Sequence, residues 1–151
     1  MKELRIEVPL APLKSEVAAF YQSVHEENQS RGSHPDIQIR PAFKYFFLRD
    51  SQNAIAGGAA VHFVFDVVYA DAIWVHPKWR RQGAGAKLYR AVEDLAHAQK
   101  KQRAIVTTFE YQAATGFWIK MGFKKFADLP GTIDGSGLIY MSKRIGEEVE
   151  K

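Results

Sequence analysis

Residues 73–86 read IWVHPKWRRQGAGA, and this stretch decides how the rest of the chain is interpreted. Its β-branched and aromatic start predicts a strand, and its glycines predict a turn into the amphipathic helix that begins after Gly83. The first N–H groups of a helix have no partner within it, and the helix dipole adds positive charge there. Gly83 and Gly85 would let a ligand approach the backbone, and Arg80 and Arg81 add charge. The stretch therefore predicts an anion-binding helix N-terminus.

On either side of this stretch, apolar periodicity predicts an alternation of strands and helices. Strands are predicted at residues 4–8, 43–49, 54–66, 67–75, 104–109, 123–126 and 138–143, and helices at 12–32, 84–98 and 114–121. Residues 30–41 and 128–137 are rich in glycine, proline and polar residues, which predicts a loop at 128–137 and a loop or a weak short helix at 30–41. This order predicts a single α/β domain over residues 1–151, with antiparallel hairpins and right-handed crossovers.

Composition excludes several classes of function. The 151 residues contain no cysteine, which excludes disulfides, thiolate metal sites and a cysteine nucleophile. No cluster of His, Asp and Glu has metal-ligand spacing, so no metal site is predicted. No apolar run reaches the ~20 residues that span a bilayer, and no signal-like segment follows Met1. We therefore expect a cytoplasmic protein that does not contact membranes.

The net charge of +4 is concentrated in one segment. Residues 78–103 hold eight basic and two acidic residues, a net of +6, which leaves −2 for the rest of the chain. Lys100, Lys101 and Arg103 follow the predicted helix 84–98, where the dipole favours cations, so they need no ligand. The aromatic residues occupy positions that are predicted to be buried, unlike those of a basic nucleic-acid groove. No nucleic-acid partner is expected.

Two motifs carry a family resemblance. Arg80-x-x-Gly83-x-Gly85 resembles the acetyl-CoA signature Arg/Gln-x-x-Gly-x-Gly/Ala of the GNAT superfamily of N-acetyltransferases. Residues 117–123, FWIKMGF, resemble the second landmark of that family, Tyr-Glu-Lys-Leu-Gly-Phe, at its usual distance along the chain. The resemblance implies a mixed, mostly antiparallel sheet of about seven strands, flanked by helices and splayed open between the fourth and fifth strands.

The resemblance also implies that acetyl-CoA is the cosubstrate. Its pantetheine arm would lie in the gap of the sheet and pair with the backbone of residues 73–75, and its pyrophosphate would be capped by residues 81–86. Phe117 and Trp118 would pack in the core or against the pantetheine. The residues predicted to bind acetyl-CoA are Ile73, Trp74, Val75, Arg80, Arg81, Gln82, Gly83, Ala84, Gly85, Ala86, Lys87, Phe117 and Trp118.

The catalytic groups leave more alternatives open. Trp118 stands where the family usually has a tyrosine that protonates the leaving thiolate, and an indole N–H is too weak an acid for this role. Tyr111 is the predicted substitute, unless the thiolate leaves unaided, as a thiol with a pKa near 8.5 allows. Glu110 is predicted to take the proton of the substrate ammonium.

An ordinary solvated surface position explains Glu110 better than catalysis does, and the same holds for the other candidate bases. They are Asp71, Glu26, Glu27, His62, His76 and His97, of which His76, before a proline, is expected to be structural.

The resemblance implies an acetyl-CoA-dependent N-acetyltransferase. A primary amine, either a small molecule or a peptide, would attack the thioester directly in a ternary complex, since the absence of cysteine removes the obvious route to an acyl-enzyme. Because the usual tyrosine is replaced by Trp118, the alternative is a non-catalytic acyl-CoA-binding or regulatory module. The aromatic hairpin at residues 43–65 offers a surface for a homodimer.

Overall fold

A computed structural model describes residues 5, 7, 9–31, 43–110, 114–133 and 135–146. The chain forms two compact units, Met1–Ile39 and Arg40–Lys151. In the first unit, helix α1 spans Lys14–Arg31, which confirms the helix predicted there. Of the strand predicted at residues 4–8, only Arg5 and Glu7 are described, and neither lies in a strand; most of the loop predicted at 30–41 lies outside the described residues.

The second unit is a six-stranded mixed sheet with strand order β1-β2-β3-β4-β6-β5. Strands β3 and β4 are parallel, and the other neighbouring pairs are antiparallel. The α+β fold class is confirmed, with six strands in place of about seven. The elements are β1 (Phe43–Arg49), β2 (Ile55–Val64), β3 (Val67–Val75), a 3-10 turn (Pro77–Trp79), α2 (Ala84–Ala98), β4 (Arg103–Phe109), α3 (Thr115–Lys120), β5 (Lys124–Ile133) and β6 (Ser136–Arg144).

Two tight turns join the first three strands of the sheet. Between β1 and β2, the side chain of Asp50 accepts hydrogen bonds of 2.9 Å from the N–H groups of Gln52 and Ala54. These bonds form an Asx turn, in which an aspartate side chain accepts from the backbone two residues further on. Between β2 and β3 only Phe65 and Asp66 form the turn, so β3 begins where the sequence places it.

The prediction of a loop at residues 128–137 is wrong, because β5 continues to Ile133 and β6 begins at Ser136. The ladder between them is interrupted between Leu129 and Ile133, and Gly131 has a positive φ of 67°. Pro130 lacks the N–H that a ladder needs, so proline and glycine here form an irregularity within a strand. The same residues in a sequence resemble a loop.

One face of the sheet packs against α2 to form the core of the second unit. Val61, Val68, Val106 and Met141 contribute from four different strands, and apolar residues of α2 cover them. At one side of this core, Lys143 of β6 holds both carboxylate oxygens of Glu93 on α2 at 2.9 Å. The pair ties α2 to the far half of the sheet, beyond β4.

Tyr89 of α2 has an unusual position in this core. The residue is 2% exposed, and its hydroxyl oxygen is the buried side-chain polar atom that lacks a hydrogen-bond partner among the described residues. Burial first, then the charge of Glu93, and last the closeness of the Glu93 carboxylate to the hydroxyl, raise the pKa of Tyr89 far above its ordinary value. The neutral phenol is therefore strongly favoured in the folded state.

We expect Tyr89→Phe to raise the free energy of unfolding at pH 7 by about 1 kcal/mol, because it removes a buried, unpartnered hydroxyl. In the wild type, the unfolded state ionises Tyr89 near pH 10 while the folded state does not, so stability falls as the pH rises above about 10. The variant should lack this part of the alkaline loss. Urea unfolding at pH 7 and pH 10.5 measures both effects, with Tyr45→Phe on the exposed face as control. A lower stability of Tyr89→Phe at pH 7 would contradict the assignment.

Within the described ranges, no helix is long and apolar enough to cross a membrane.

Candidate functional site

The sheet opens between β3 and β4. The two strands pair only from Val67 with Arg103 to Ala70 with Val106. Beyond these four pairs, β3 stays on β2 as far as Val75, and β4 stays on β6 as far as Phe109, so the strands diverge. The part of β3 beyond the ladder, from residue 71 to 75, is about 13 Å long along the strand axis. This gap confirms the splay that the family resemblance implied between the fourth and fifth predicted strands, which are β3 and β4.

The segment after β3 is held by its own polar groups. The N–H of His76 donates to the carbonyl of Ala56 at 2.8 Å, and its Nδ1 accepts from the N–H of Lys78 at 3.2 Å. The Nε of Arg80 donates to the carbonyl of Val75 at 2.8 Å, and the side-chain amide of Gln82 donates to Lys78 at 3.1 Å. These contacts give His76 the structural role expected of it and fix the path from the strand to α2.

The N-terminus of α2 has the geometry of an anion site. Its N-cap is Gly83, at φ 79°, and no side chain caps the helix, whose first turn contains no acidic residue. Arg81 also has a positive φ, 58°, and such alternation turns successive N–H groups toward one concavity. A Cβ at Gly83 would meet nothing within 4 Å, so the space in front of the backbone is open. Arg81 and Lys87 have no acidic partner within the described chain. These residues fit a pyrophosphate.

Gly85 makes room for an aromatic side chain. A Cβ built there would lie 3.1 Å from Cε2 of Phe117. The absence of a side chain therefore leaves space for the ring of Phe117 and lets α3 approach the start of α2. Phe117 in turn packs edge-on against Trp118, with ring centroids 4.9 Å apart.

Trp118 is a core residue. It is 3% exposed, and its ring stands nearly perpendicular to that of Tyr89 at 5.6 Å and at a steep angle to that of Phe123 at 5.0 Å. Of the two roles that the sequence left open for this side chain, packing in the core describes its position. The indole occupies the centre of the aromatic cluster between α2 and α3.

The predicted catalytic pair is only partly described. Glu110 follows directly after β4, and its Oε2 accepts a hydrogen bond of 3.0 Å from the N–H of Gly137. Because β3 and β4 are parallel, this end of β4 lies at the same edge of the sheet as Val75, the wide end of the gap. Tyr111 lies outside the described residues, so its role stays a prediction.

Two of the weaker candidates are brought together by the fold. Nδ1 of His62 on β2 lies 2.5 Å from Oδ2 of Asp71 on β3. The sequence names both residues, but their pairing depends on the register of the two strands, which no local pattern reveals. By contrast, Glu26 and Glu27 lie on α1 in the first unit, and His97 is exposed near the end of α2.

The basic residues after α2 are engaged in structural contacts. Nζ of Lys101 donates to the carbonyl of Phe65 at 2.8 Å, and Arg103 donates to the hydroxyl of Ser142 at 3.3 Å. The charge of the 78–103 segment is thus divided as predicted, with only its first part near the open helix N-terminus.

Comparisons with known proteins agree with this geometry. The family model described as Acetyltransferase (GNAT) family matches residues 12–123. No curated protein matches the chain in sequence.

Solved structures show the same fold. An acetyltransferase from Bacillus cereus is 20% identical, with a TM-score of 0.74, and the match covers 91% of this chain and 97% of that one. The ribosomal-protein-S18-alanine N-acetyltransferase from Escherichia coli is 19% identical, with a TM-score of 0.62 and coverage of 92% and 94%. A candidate streptothricin acetyltransferase from Bacillus anthracis, solved with acetyl coenzyme A, is 20% identical, with a TM-score of 0.63 and coverage of 70% and 64%. The family model spans most of the chain, and the chain therefore belongs to the GNAT acetyltransferase family.

Proposed function

We propose that this protein transfers the acetyl group of acetyl-CoA to a primary amine by direct attack in a ternary complex. The observation that carries the proposal is the uncapped N-terminus of α2, with Gly83 open in front of it, at the wide end of the gap between β3 and β4. A diphosphate group and a long, narrow amide-containing arm are what such a site accommodates. A cytoplasmic location belongs to the same proposal.

The pyrophosphate would be held mainly by backbone N–H groups. Residues 81–86 supply these groups, and the guanidinium of Arg81 and the ammonium of Lys87 supply charge. Since Nε of Arg80 and the amide of Gln82 already hold the loop, we assign these two side chains to shaping the site as well as binding. The open space in front of Gly83 supports this placement, because a phosphate oxygen could reach the backbone there.

The pantetheine arm would lie in the gap and pair with the backbone of residues 73–75. Those residues have no partner in β4, so their groups on that side are available. Attack by an amine builds negative charge on the thioester oxygen, and one fixed N–H donor there is worth about 3 kcal/mol in the transition state. We assign this donor to the backbone of β3.

The rest of the chemistry follows from the side chains that are present. Because the chain contains no cysteine, we assign direct transfer rather than a route through a cysteine acyl-enzyme. Trp118, in the core, is not assigned a role in proton transfer. Glu110 and Tyr111 stay predictions for proton transfer at the wide end of the gap, and the alternative is that the thiolate leaves unaided, as a thiol pKa near 8.5 allows.

The first test is binding and transfer with the full chain. We expect acetyl-CoA to bind at tens of micromolar or tighter by calorimetry, and CoA release to accelerate in the presence of at least one amine from a panel of polyamines, amino acids, aminoglycosides and peptides with free N-termini. Failure to bind acetyl-CoA would overturn the proposal.

A second candidate function is a non-catalytic acyl-CoA-binding module. The observation that favours it is the core position of Trp118 where the family usually has a tyrosine. Acetyl-CoA binding without accelerated CoA release across the whole panel would favour this candidate over the enzyme.

A further inference from the structure

His62 and Asp71 form a hydrogen-bonded pair on the face of the sheet opposite the core. His62 lies between the buried residues Val61 and Phe63, so its side chain points to the other face. Its Nδ1 lies 2.5 Å from Oδ2 of Asp71, and the two side chains are 17% and 34% exposed. A hydrogen bond from an imidazole N–H to a carboxylate is charge-assisted. The pair is accessible to a ligand and is not part of the packed core.

A β-bulge places Asp71 at the narrow end of the gap. The register of β2 and β3 shifts between Ala60 and Val61, which pair with Ala72 and Ala70, so Asp71 is the extra residue. The last pair between β3 and β4 is Ala70 with Val106, so Asp71 is also the first residue of β3 after the strands part. Bulges of this kind re-aim a side chain next to a site. Here the bulge aims a carboxylate at His62 where the gap begins.

The surroundings of His62 fix which nitrogen is free. A carboxylate at Nδ1 holds the proton of the neutral ring on that atom and leaves the lone pair on Nε2. The ring of Tyr69 stacks on the imidazole at 4.9 Å, and that of Phe43 lies 5.3 Å away. Asp71 is the charged group in contact with His62, and Nε2 has no hydrogen-bond partner in the parts of the chain that the structure describes.

On the basis of the proposed function, we propose that His62 is the base that deprotonates the acceptor amine and that Asp71 is its positioning residue. Nε2 takes one proton from the substrate ammonium, and the resulting imidazolium is stabilised by the Asp71 carboxylate and returns its proton to water. The neutral amine forms a carbon–nitrogen bond with the thioester carbonyl, and the carbon–sulfur bond breaks. The nitrogen then loses a second proton to give the amide, and the CoA thiolate takes up one proton to become the thiol.

The position of the pair suits this step better than that of Glu110. With the pyrophosphate at the wide end of the gap, the acyl end of an extended arm points to the narrow end, where Asp71 lies. Glu110 lies at the wide end, and its carboxylate already accepts a hydrogen bond from Gly137. Asp71 also adds the negative charge that attracts an ammonium group.

Benzylamine, putrescine and glycinamide are first compared as acceptors with the wild type, and the amine that is acetylated fastest is used in the test. The test then compares acetyl transfer to this amine by His62→Gln, Asp71→Asn and the control His97→Gln. Calorimetry with acetyl-CoA accompanies each assay. We expect His62→Gln to lower kcat at pH 7 by about 100-fold or more, with the Kd for acetyl-CoA within twofold of the wild type. The deficit should shrink as the pH rises toward the pKa of the acceptor, where solution supplies neutral amine.

Asp71→Asn should lower kcat by 10- to 100-fold, as expected for the loss of a hydrogen-bonded partner of a functional histidine. His97→Gln should leave kcat and its pH profile unchanged. Exogenous imidazole should restore part of the activity of His62→Ala, which a merely structural role of His62 would not allow.

A measurement on the wild type keeps the inference falsifiable if a variant fails to fold. Nitrogen-15 NMR of the imidazole at pH 8 should show the proton of His62 on Nδ1. A proton on Nε2, or an unchanged kcat and pH profile in His62→Gln, would overturn the inference and leave the proposed function standing. Loss of acetyl-CoA binding by the wild type itself would instead overturn the proposed function.

Discussion

The Gly83→Asp variant is expected to bind acetyl-CoA at least 100-fold more weakly than the wild type. The new carboxylate would stand in the open space before the N-terminus of α2, where a Cβ meets no other atom. At an effective dielectric constant of 20, two unit charges 4 Å apart repel by about 4 kcal/mol, and part of this is screened by salt. Calorimetry with acetyl-CoA at low salt measures the change.

Gly83→Asn is the matched control, since it has the same shape without the charge. Asparagine and aspartate carry similar backbone strain at this left-handed position and tolerate it better than most residues, so the affinity of Gly83→Asn should fall only by several-fold. Negative charge near a helix N-terminus stabilises the helix, so Gly83→Asp should remain folded. Equal affinities of the two variants at low salt would contradict a pyrophosphate in front of Gly83.

Trp118→Ala is expected to lower the free energy of unfolding by about 3–5 kcal/mol. Truncation of a fully buried large aromatic residue costs this much, because the apolar contacts are lost and a cavity remains. Trp118 also makes perpendicular ring contacts with Tyr89, Phe117 and Phe123. Urea unfolding monitored by circular dichroism measures the loss.

Two controls test whether the loss of stability comes from the buried position of Trp118 rather than from the removal of any tryptophan. Trp74→Ala removes a tryptophan that is 48% exposed and should cost less than about 1 kcal/mol. Trp118→Phe keeps an aromatic ring in the core and should recover at least half of the stability lost in Trp118→Ala. If Trp118→Ala were as stable as the wild type, the ring would not be part of the core.

Local patterns predict much of this fold because each pattern has a local cause. The helix after Gly83 follows from its apolar spacing, and the β1–β2 turn follows from the Asp50 side chain. The uncapped N-terminus of α2 is of the same kind, since glycines and a strand-to-helix turn are sufficient to expose helix N–H groups. In these segments, neighbouring residues determine the conformation.

Sequence patterns fail to predict the structure where contacts between distant parts of the chain determine the conformation. Pro130 and Gly131 resemble a loop, but pairing with β6 keeps them within β5. The packing of Gly85 against the ring of Phe117 also depends on a contact between two helices that the local sequence does not reveal. The contact between His62 and Asp71 depends on one extra residue in β3, and a single sequence contains no signal for that register shift.

The short ladder between β3 and β4 has a consequence for hydrogen exchange. Backbone groups of residues 71–75 that face the gap lack the bonds to β4 that slow exchange with solvent in the paired part of β3. A bound pantetheine arm would supply bonds to one side and act as a short additional strand. Binding would therefore slow the exchange of these backbone amides. The free energy of unfolding would also rise with the logarithm of the acetyl-CoA concentration.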